Sequence, residues 1–335
     1  MMAQLFDKPQ RSQYMLTDRP LLFALQGSEH YATRVAQRLG CQLALHEERD
    51  YEDGEHKCRP LASVNGREVV VFHALYGDDR QSANDKLCRL LFFCGALKDA
   101  GARHVQVVTP YLCYGRKDRR SQPQDPTITR YLAAMIEACH VDRLVALEVH
   151  NPAAFDNAFR IPTWNVQCTE IFAEHFARFV GDTDVVAVSP DSGGAKRAEQ
   201  FRQALERHLG RSVGSALMEK HRAHATLTGA LLVGDVSGKT AIVFDDLIST
   251  GETLKHAGLA CQKGGASRLF AAATHGLFTA GSHLFDKPLF EHIAISDSVP
   301  PFRLSPECVT QHVHVIDSTA LIATLLAESG AFDTV

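Results

Sequence analysis

The sequence has no surplus of positive charge, no paired-cysteine motif and no long apolar run, and each absence removes a class of function. With a net charge of −4 and a pI near 6.5, the chain presents no broad basic field for a nucleic-acid backbone. Any anionic partner must be held by local arginines and lysines, which favours small phosphorylated ligands. The nine cysteines (Cys41, Cys58, Cys88, Cys94, Cys113, Cys139, Cys168, Cys261 and Cys308) are odd in number, scattered, and never in a C-x-x-C pair. They read as reduced thiols. The stretch from Met1 to Tyr14 is polar, without the apolar core of a signal peptide. No later stretch approaches the roughly 18 uninterrupted apolar residues of a membrane span. These absences predict a cytoplasmic protein with neither a nucleic-acid nor a membrane partner.

What is present is an apolar content of 45% over 335 residues, about two ordinary domains, each able to bury a core. Strand-like and helix-like runs alternate from end to end, the pattern of an α/β protein with mostly parallel sheets. In the first half, strands are predicted at Leu21 to Leu25, His104 to Val108 and Leu144 to Val149. Helices are predicted near His30 to Leu39, Asn84 to Lys98 and Thr129 to Cys139. Strand-like runs flank Asn65-Gly66, a dipeptide suited to a tight turn, and predict a hairpin insert there, with Val69 to Phe72 following it. The second half repeats the rhythm. Helices near Glu170 to Phe179 and Ala195 to His208 alternate with strands at Val185 to Val188 and Ala241 to Phe244, and a further helix begins near Gly251. Val313 to Ile316 and the helix after it close the chain. The boundary is placed near 165, where Ile161-Pro162-Thr163 interrupts regular structure. This gives an extension over 1–20, a first domain over 21–165 and a second over 166–335.

The run Ile242-Val243-Phe244-Asp245-Asp246-Leu247-Ile248-Ser249-Thr250-Gly251-Glu252-Thr253 carries the most chemistry. It is an apolar strand ending in two carboxylates, then a turn of small residues that opens a helix. Acids at the carboxyl end of such a strand lie where α/β sheets bind ligands, and they accept hydrogen bonds from vicinal sugar hydroxyls. The following turn offers backbone N–H groups at a helix N-terminus, a cradle for phosphate. The string resembles the 5-phosphoribosyl-diphosphate signature shared by type I phosphoribosyltransferases and ribose-phosphate pyrophosphokinases. That resemblance implies Asp245 and Asp246 at the ribose hydroxyls, and Ser249, Thr250, Gly251, Glu252 and Thr253 at the 5-phosphate. The pyrophosphokinases usually carry an acid where Ser249 stands.

Further segments resemble the pyrophosphokinases rather than the transferases. Tyr51-Glu52-Asp53-Gly54-Glu55 is similar to that family's aromatic-x-Asp-Gly-Glu hairpin element. It implies ATP contacts from Tyr51, Asp53 and Glu55, with the adenine pocket completed at a subunit interface. The segment from Pro110 to Arg120 resembles a Pro-Tyr-x-x-Tyr-x-Arg-Gln-Asp-Arg motif and implies ATP contacts from Arg116, Lys117 and Asp118, with Lys117 in place of the glutamine. Glu148-Val149-His150 resembles Asp-Leu-His and places His150 at the ATP phosphates and the metal. The run from Ser189 to Arg197 resembles Ser-Pro-Asp-x-Gly-Gly-x-x-Arg, with Asp191 as a metal-site acid. Lys220-His221-Arg222 fills the Lys-x-Arg that opens a flexible, catalytic loop in the family.

The resemblance therefore implies two tandem phosphoribosyltransferase-like α/β domains, with ATP held by the first and ribose 5-phosphate by the second. It also implies Mg2+ as cofactor, Lys220, Arg222 and His150 as catalytic residues, and a homo-oligomer, dimeric or hexameric. Two alternatives stay open at this level: a type I phosphoribosyltransferase, and a non-catalytic subunit that regulates a synthase. Two other features are set aside. Gly238-Lys239-Thr240 has the ending of a P-loop but precedes its strand, so it reads as a turn. His312 and His314, two apart on an expected strand, have no third ligand near them in sequence and read as structural.

Overall fold

The computed structural model describes residues 19–223, 226–280, 282–287 and 289–328, apart from the side chains of 220–230. Most of the expected extension over 1–20 therefore lies outside the described residues. In the first half the elements run β1 (Leu21–Ala24), α1 (Glu29–Arg38), β2 (His46–Asp50), β3 (His56–Pro60), β4 (Glu68–Phe72), α2 (Ala83–Asp99), β5 (His104–Thr109), α3 (Ile128–Ala138), β6 (Arg143–Leu147), α4 (Pro152–Ala158) and β7 (Thr163–Val166). The second half continues with α5 (Thr169–Ala177), β8 (Val185–Ser189), α6 (Ala195–Leu209), β9 (Gly214–Ala223), β10 (Thr226–Val233), β11 (Thr240–Ile248), α7 (Glu252–Lys263), β12 (Arg268–Gly276), β13 (Ile293–Ser296), α8 (Pro306–His312), β14 (Val313–Ile316) and α9 (Thr319–Leu326).

Each half is built on a sheet. The first has the order β1-β4-β5-β6-β7 and is parallel throughout. The second has the order β10-β9-β8-β11-β12-β13-β14, antiparallel only between β9 and β10. The strand sequences explain this. Val185 to Val188 and Ala241 to Phe244 are continuous apolar runs, buried along their whole length, as strands covered by helices on both faces require. Helix starts are equally explicit: Ser82 accepts the Asp85 amide N–H, while the Asp85 carboxylate accepts from the Ser82 amide, a capping box that opens α2. The expected boundary at 165 falls inside β7, the edge strand of the first sheet.

Two expectations need correction. The antiparallel hairpin is β2 with β3, and its turn is Asp53-Gly54, where Gly54 has φ +90°. Asn65-Gly66 also turns the chain but delivers it into β4, which lies parallel between β1 and β5. The resemblance of Tyr51 to Glu55 to a hairpin element located this turn, although β2 itself reads His-Glu-Glu-Arg-Asp, with no apolar alternation. Its partner instead packs a ring outward from the sheet, His56 stacked at 5.4 Å on Phe92 of α2. The second correction concerns the segment expected to be a flexible loop. Lys220 and Arg222 lie within β9, paired with Ala230 and Leu227 of β10, and their side chains are outside the described residues.

The halves share one core. A single buried cluster takes Leu22, Val70 and Val145 from the first sheet together with Phe172, Phe201, Phe244 and Ile322 from the second half. At its rim Tyr31 Oη lies 3.0 Å from Ser318 Oγ. Arg34 pairs with Asp297 at 2.8 Å and with Asp317 at 2.5 Å. Helix α1 is thereby fixed to α9, and the carboxyl ends of β6 and β11 are held in a fixed relation.

Candidate active site

Glu148 and His150 follow directly on β6, while Asp245 and Asp246 lie near the carboxyl end of β11. His150 Nδ1 is 2.8 Å from Asp246 Oδ2, a contact across 96 residues of chain and between the halves. Arg197, in the first turn of α6, organises the rest. Its Nε donates to Glu148 Oε1 at 3.3 Å, its Nη1 to Asp246 Oδ1 at 3.2 Å, and its Nη2 to the His150 carbonyl at 3.1 Å. Asp245 Oδ1 lies 3.7 Å from the same Nη1. One buried guanidinium thus faces three carboxylates, and deleting one member of such a buried ionic group costs roughly 3–5 kcal/mol.

The carboxylates respond in opposite directions. Burial and the adjacent Asp246 charge raise the Asp245 carboxyl. Asp246 is equally desolvated, but the hydrogen bond with His150 and the charge of Arg197 outweigh burial and hold it well below the usual range. The two acids therefore titrate as one coupled pair, in which Asp246 gives up its proton more readily than Asp245. Burial raises the Glu148 carboxyl against the pull of Arg197 and the Cys168 amide, whose N–H donates to Oε2 at 2.9 Å. Glu148 also has φ +40°, an uncommon backbone for a residue with a Cβ, of the kind that clusters at functional sites.

A cavity of about 400 Å³ opens over this cluster. Its wall brings Arg116, Lys117 and Tyr111 from the loop after β5 together with Glu148, His150 and Asp246. Asp118, next in that loop, accepts from Asn151 Nδ2 at 2.6 Å. The cavity floor contains a residue that sequence reasoning missed. His275, at the end of β12, places Nε2 3.1 Å from the Leu147 carbonyl and 3.2 Å from that of Glu148, and Nδ1 2.8 Å from Ser298 Oγ. The two carbonyls require the proton on Nε2, so Nδ1 accepts from Ser298. Burial lowers this ring to about 4, and the neutral imidazole acts as a strut between the halves. Its signal was a polar pair, Thr274 and His275, following the apolar run Leu269 to Ala273. Arg197 was legible as the last residue of the Ser189 to Arg197 motif, although its partners were not.

Ser249 to Thr253 join β11 to α7 at the same sheet edge. Ser249 Oγ meets Thr279 Oγ1 at 3.2 Å, and Gly251 has φ +81° at the N-cap of α7. Asp191, between β8 and α6, accepts the Gly194 amide N–H on Oδ1 at 3.0 Å. Tyr51, Asp53 and Glu55 are exposed at the tip of the β2–β3 hairpin, where Arg49 lies 5.1 Å from the Tyr51 ring centroid. They are not among the described residues that line the cavity.

Residues 21–139 match the family model for the N-terminal domain of ribose phosphate pyrophosphokinase, and residues 211–329 match that of the phosphoribosyl synthetase-associated domain. A ribose-phosphate pyrophosphokinase of Fusobacterium nucleatum subsp. nucleatum is 32% identical over 282 residues, 83% of this chain and 85% of that one. The chain belongs to the ribose-phosphate pyrophosphokinase family. A provisionally named ribose-phosphate pyrophosphokinase 2 of Streptococcus pneumoniae is 31% identical over 290 residues, covering 86% of this chain and 88% of that protein. The crystal structure of a phosphoribosylpyrophosphate synthetase from Mycobacterium smegmatis superposes with a TM-score of 0.82 at 25% identity, over 93% of this chain and 99% of that one. Membership of the pyrophosphokinase family resolves the choice that the Asp245 to Thr253 string left open, since the transferases share that string.

Proposed function

We propose that the protein transfers the β,γ-diphosphoryl group of ATP to the C1 hydroxyl of ribose 5-phosphate. The observation that carries this is the His150–Asp246 contact at 2.8 Å. It supports this reading because Arg116 and Lys117, taken as the ATP side, line the same cavity as Asp246, taken as the ribose side. In the reaction the C1 hydroxyl oxygen bonds to the β-phosphorus and the bond from that phosphorus to the α,β-bridging oxygen breaks. AMP leaves and the hydroxyl proton is released. Such a transfer depends on alignment and charge neutralisation rather than covalent help from the protein.

Each group then has a task. Arg116 and Lys117 offset triphosphate charge, and Asp118 holds the loop through Asn151. Asp245 and Asp246 bind the ribose hydroxyls through their carboxyl oxygens. The amides from Ser249 to Thr253, at the positive end of α7, hold the 5-phosphate. Lys220 and Arg222 on β9 meet the charge that develops on the leaving oxygen, and His150 orients the phosphates from Nε2. Tyr51, Asp53 and Glu55, exposed on their hairpin, contact the adenine nucleotide of a neighbouring copy in a homo-oligomer.

The donor set fits magnesium, which takes oxygen ligands. Asp191, whose Oδ1 already accepts from the Gly194 amide, and the acids of β11 offer carboxylate oxygens, and His150 lies beside them. When bound, the ion neutralises phosphate charge. Incubation with Mg-ATP and ribose 5-phosphate, followed by phosphorus NMR, is expected to give AMP and 5-phosphoribosyl 1-diphosphate in equal amounts. ADP as the nucleotide product, or no turnover, overturns the assignment.

A further inference from the structure

Three histidines converge at the end of the second sheet remote from the cavity. His292 immediately precedes β13, His314 is the second residue of β14, and His175 lies in the last turn of α5. Because β11, β12, β13 and β14 run parallel, His292 and His314 mark the amino-terminal side of the sheet, whereas the cavity lies at the carboxyl ends. The sequence separates these residues by 117 and 139 positions from His175, which is why His314 alone suggested nothing. His312, its expected companion, instead ends α8 and stacks near Phe285 at 5.9 Å.

The ring nitrogens meet at short range. His175 Nε2 lies 3.2 Å from His292 Nε2 and 3.3 Å from His314 Nδ1, and one ligand nitrogen from each ring falls within 4.8 Å of the others. A hydrogen-bonded trio satisfies these atoms poorly, since a single proton on His175 Nε2 has to serve two acceptors at once. A cation satisfies all three. Four-coordinate zinc, with Zn–N near 2.0–2.1 Å, sets its ligand nitrogens about 3.3–3.4 Å apart, close to the spacings seen here.

We propose that His175, His292 and His314 form a structural site for a divalent transition metal of the zinc type. Three imidazoles select such an ion over magnesium, which prefers oxygen. The shell is apolar: Phe179 sits 4.9 Å from His175 and 4.8 Å from His292, and Phe176 stacks on His292 at 5.5 Å. Arg178 and Arg268, the cations beside the cluster, are each paired with a glutamate. His292 and His314 are stacked with centroids 3.9 Å apart. Water takes the fourth position. The bound ion ties α5 to β14, the edge strand of the sheet. This site is independent of the proposed reaction.

The test uses full-length protein without an affinity tag, stripped with a chelator. It is titrated with Co2+, read by its visible spectrum, and with Zn2+, read by calorimetry and thermal unfolding. One equivalent of each per chain is expected, with the intense visible bands of four-coordinate cobalt, no thiolate charge-transfer absorption, and a higher Tm with zinc. His175→Ala and His314→Gln should lose the cobalt bands and weaken zinc binding by at least about 100-fold, with the metal-free Tm as the check on folding. His46→Ala, in the separate His46–Glu48–Cys58 group, should leave both signals unchanged. Absence of saturable binding, a six-coordinate cobalt spectrum, thiolate bands, or undiminished binding in both histidine variants overturns the proposal.

Discussion

At the scale of residues, the His150–Asp246 pair sets the pH behaviour of the site. The hydrogen bond with Asp246 raises the His150 ring against the opposing effect of burial, while Asp246 is lowered. A lowered acid contributes stability above its unfolded value, about 3.9, and loses it as pH falls through the folded value. A raised histidine contributes fully below about 6.5 and loses its contribution as pH rises through the folded value. The contact therefore stabilises most between about pH 4 and 6.5. In NMR titration the His150 ring is expected to have its midpoint above about 6.5, and Asp246→Asn should lower that midpoint. A wild-type midpoint below that of the variant would contradict the geometry.

At the scale of elements, the junction of β11 and α7 shows why the most legible motif was legible. The function proposed for it rests on local backbone: acids at a strand end, a turn, and helix amides, all within twelve residues from Ile242 to Thr253. Gly251 is necessary there because φ is +81° and a Cβ would come 2.9 Å from Leu284 Cδ2. Gly251→Ala should lose about 1–2 kcal/mol of stability from the left-handed backbone alone, and the clash adds to this. Urea unfolding and the KM for ribose 5-phosphate are the checks. A lower midpoint with a raised KM is expected, and an unchanged pair of values would exclude this turn from phosphate binding. The β2–β3 hairpin shows the opposite case. Its strands carry charge and lack hydrophobic alternation, so it was the motif at Tyr51 to Glu55, not periodicity, that marked it.

At the scale of the whole molecule, the shared core predicts that the halves unfold together. The chain has a single tryptophan, Trp164 on β7, packed against the cluster that also contains Phe244 of the second sheet. Phe244 stacks on Phe201 at 4.4 Å and meets Phe172 edge-on at 5.5 Å. Phe244→Ala should therefore shift the Trp164 fluorescence transition in urea by about 3–5 kcal/mol, although the two residues belong to different sheets. A Trp164 transition left in place would show that the halves are energetically separate.

The sequence by itself determined the α/β alternation, the mostly parallel character of the sheets and the strand–turn–helix junction from Ile242 to Thr253, because each follows from apolar periodicity or from backbone within one short segment. Tertiary structure decided what depends on distant neighbours. It gave Arg197 its three carboxylates, made His275 a strut, moved Lys220 and Arg222 onto a strand, and gathered His175, His292 and His314. The absence of a broad basic field pointed from the start to local cations around small anions, and the fold brings two such cations, Arg116 and Lys117, into the lining of the cavity that also holds Asp246. A charge count cannot see that arrangement, because it records how many ions a chain carries and not which ones the folded backbone brings within a few ångströms of each other.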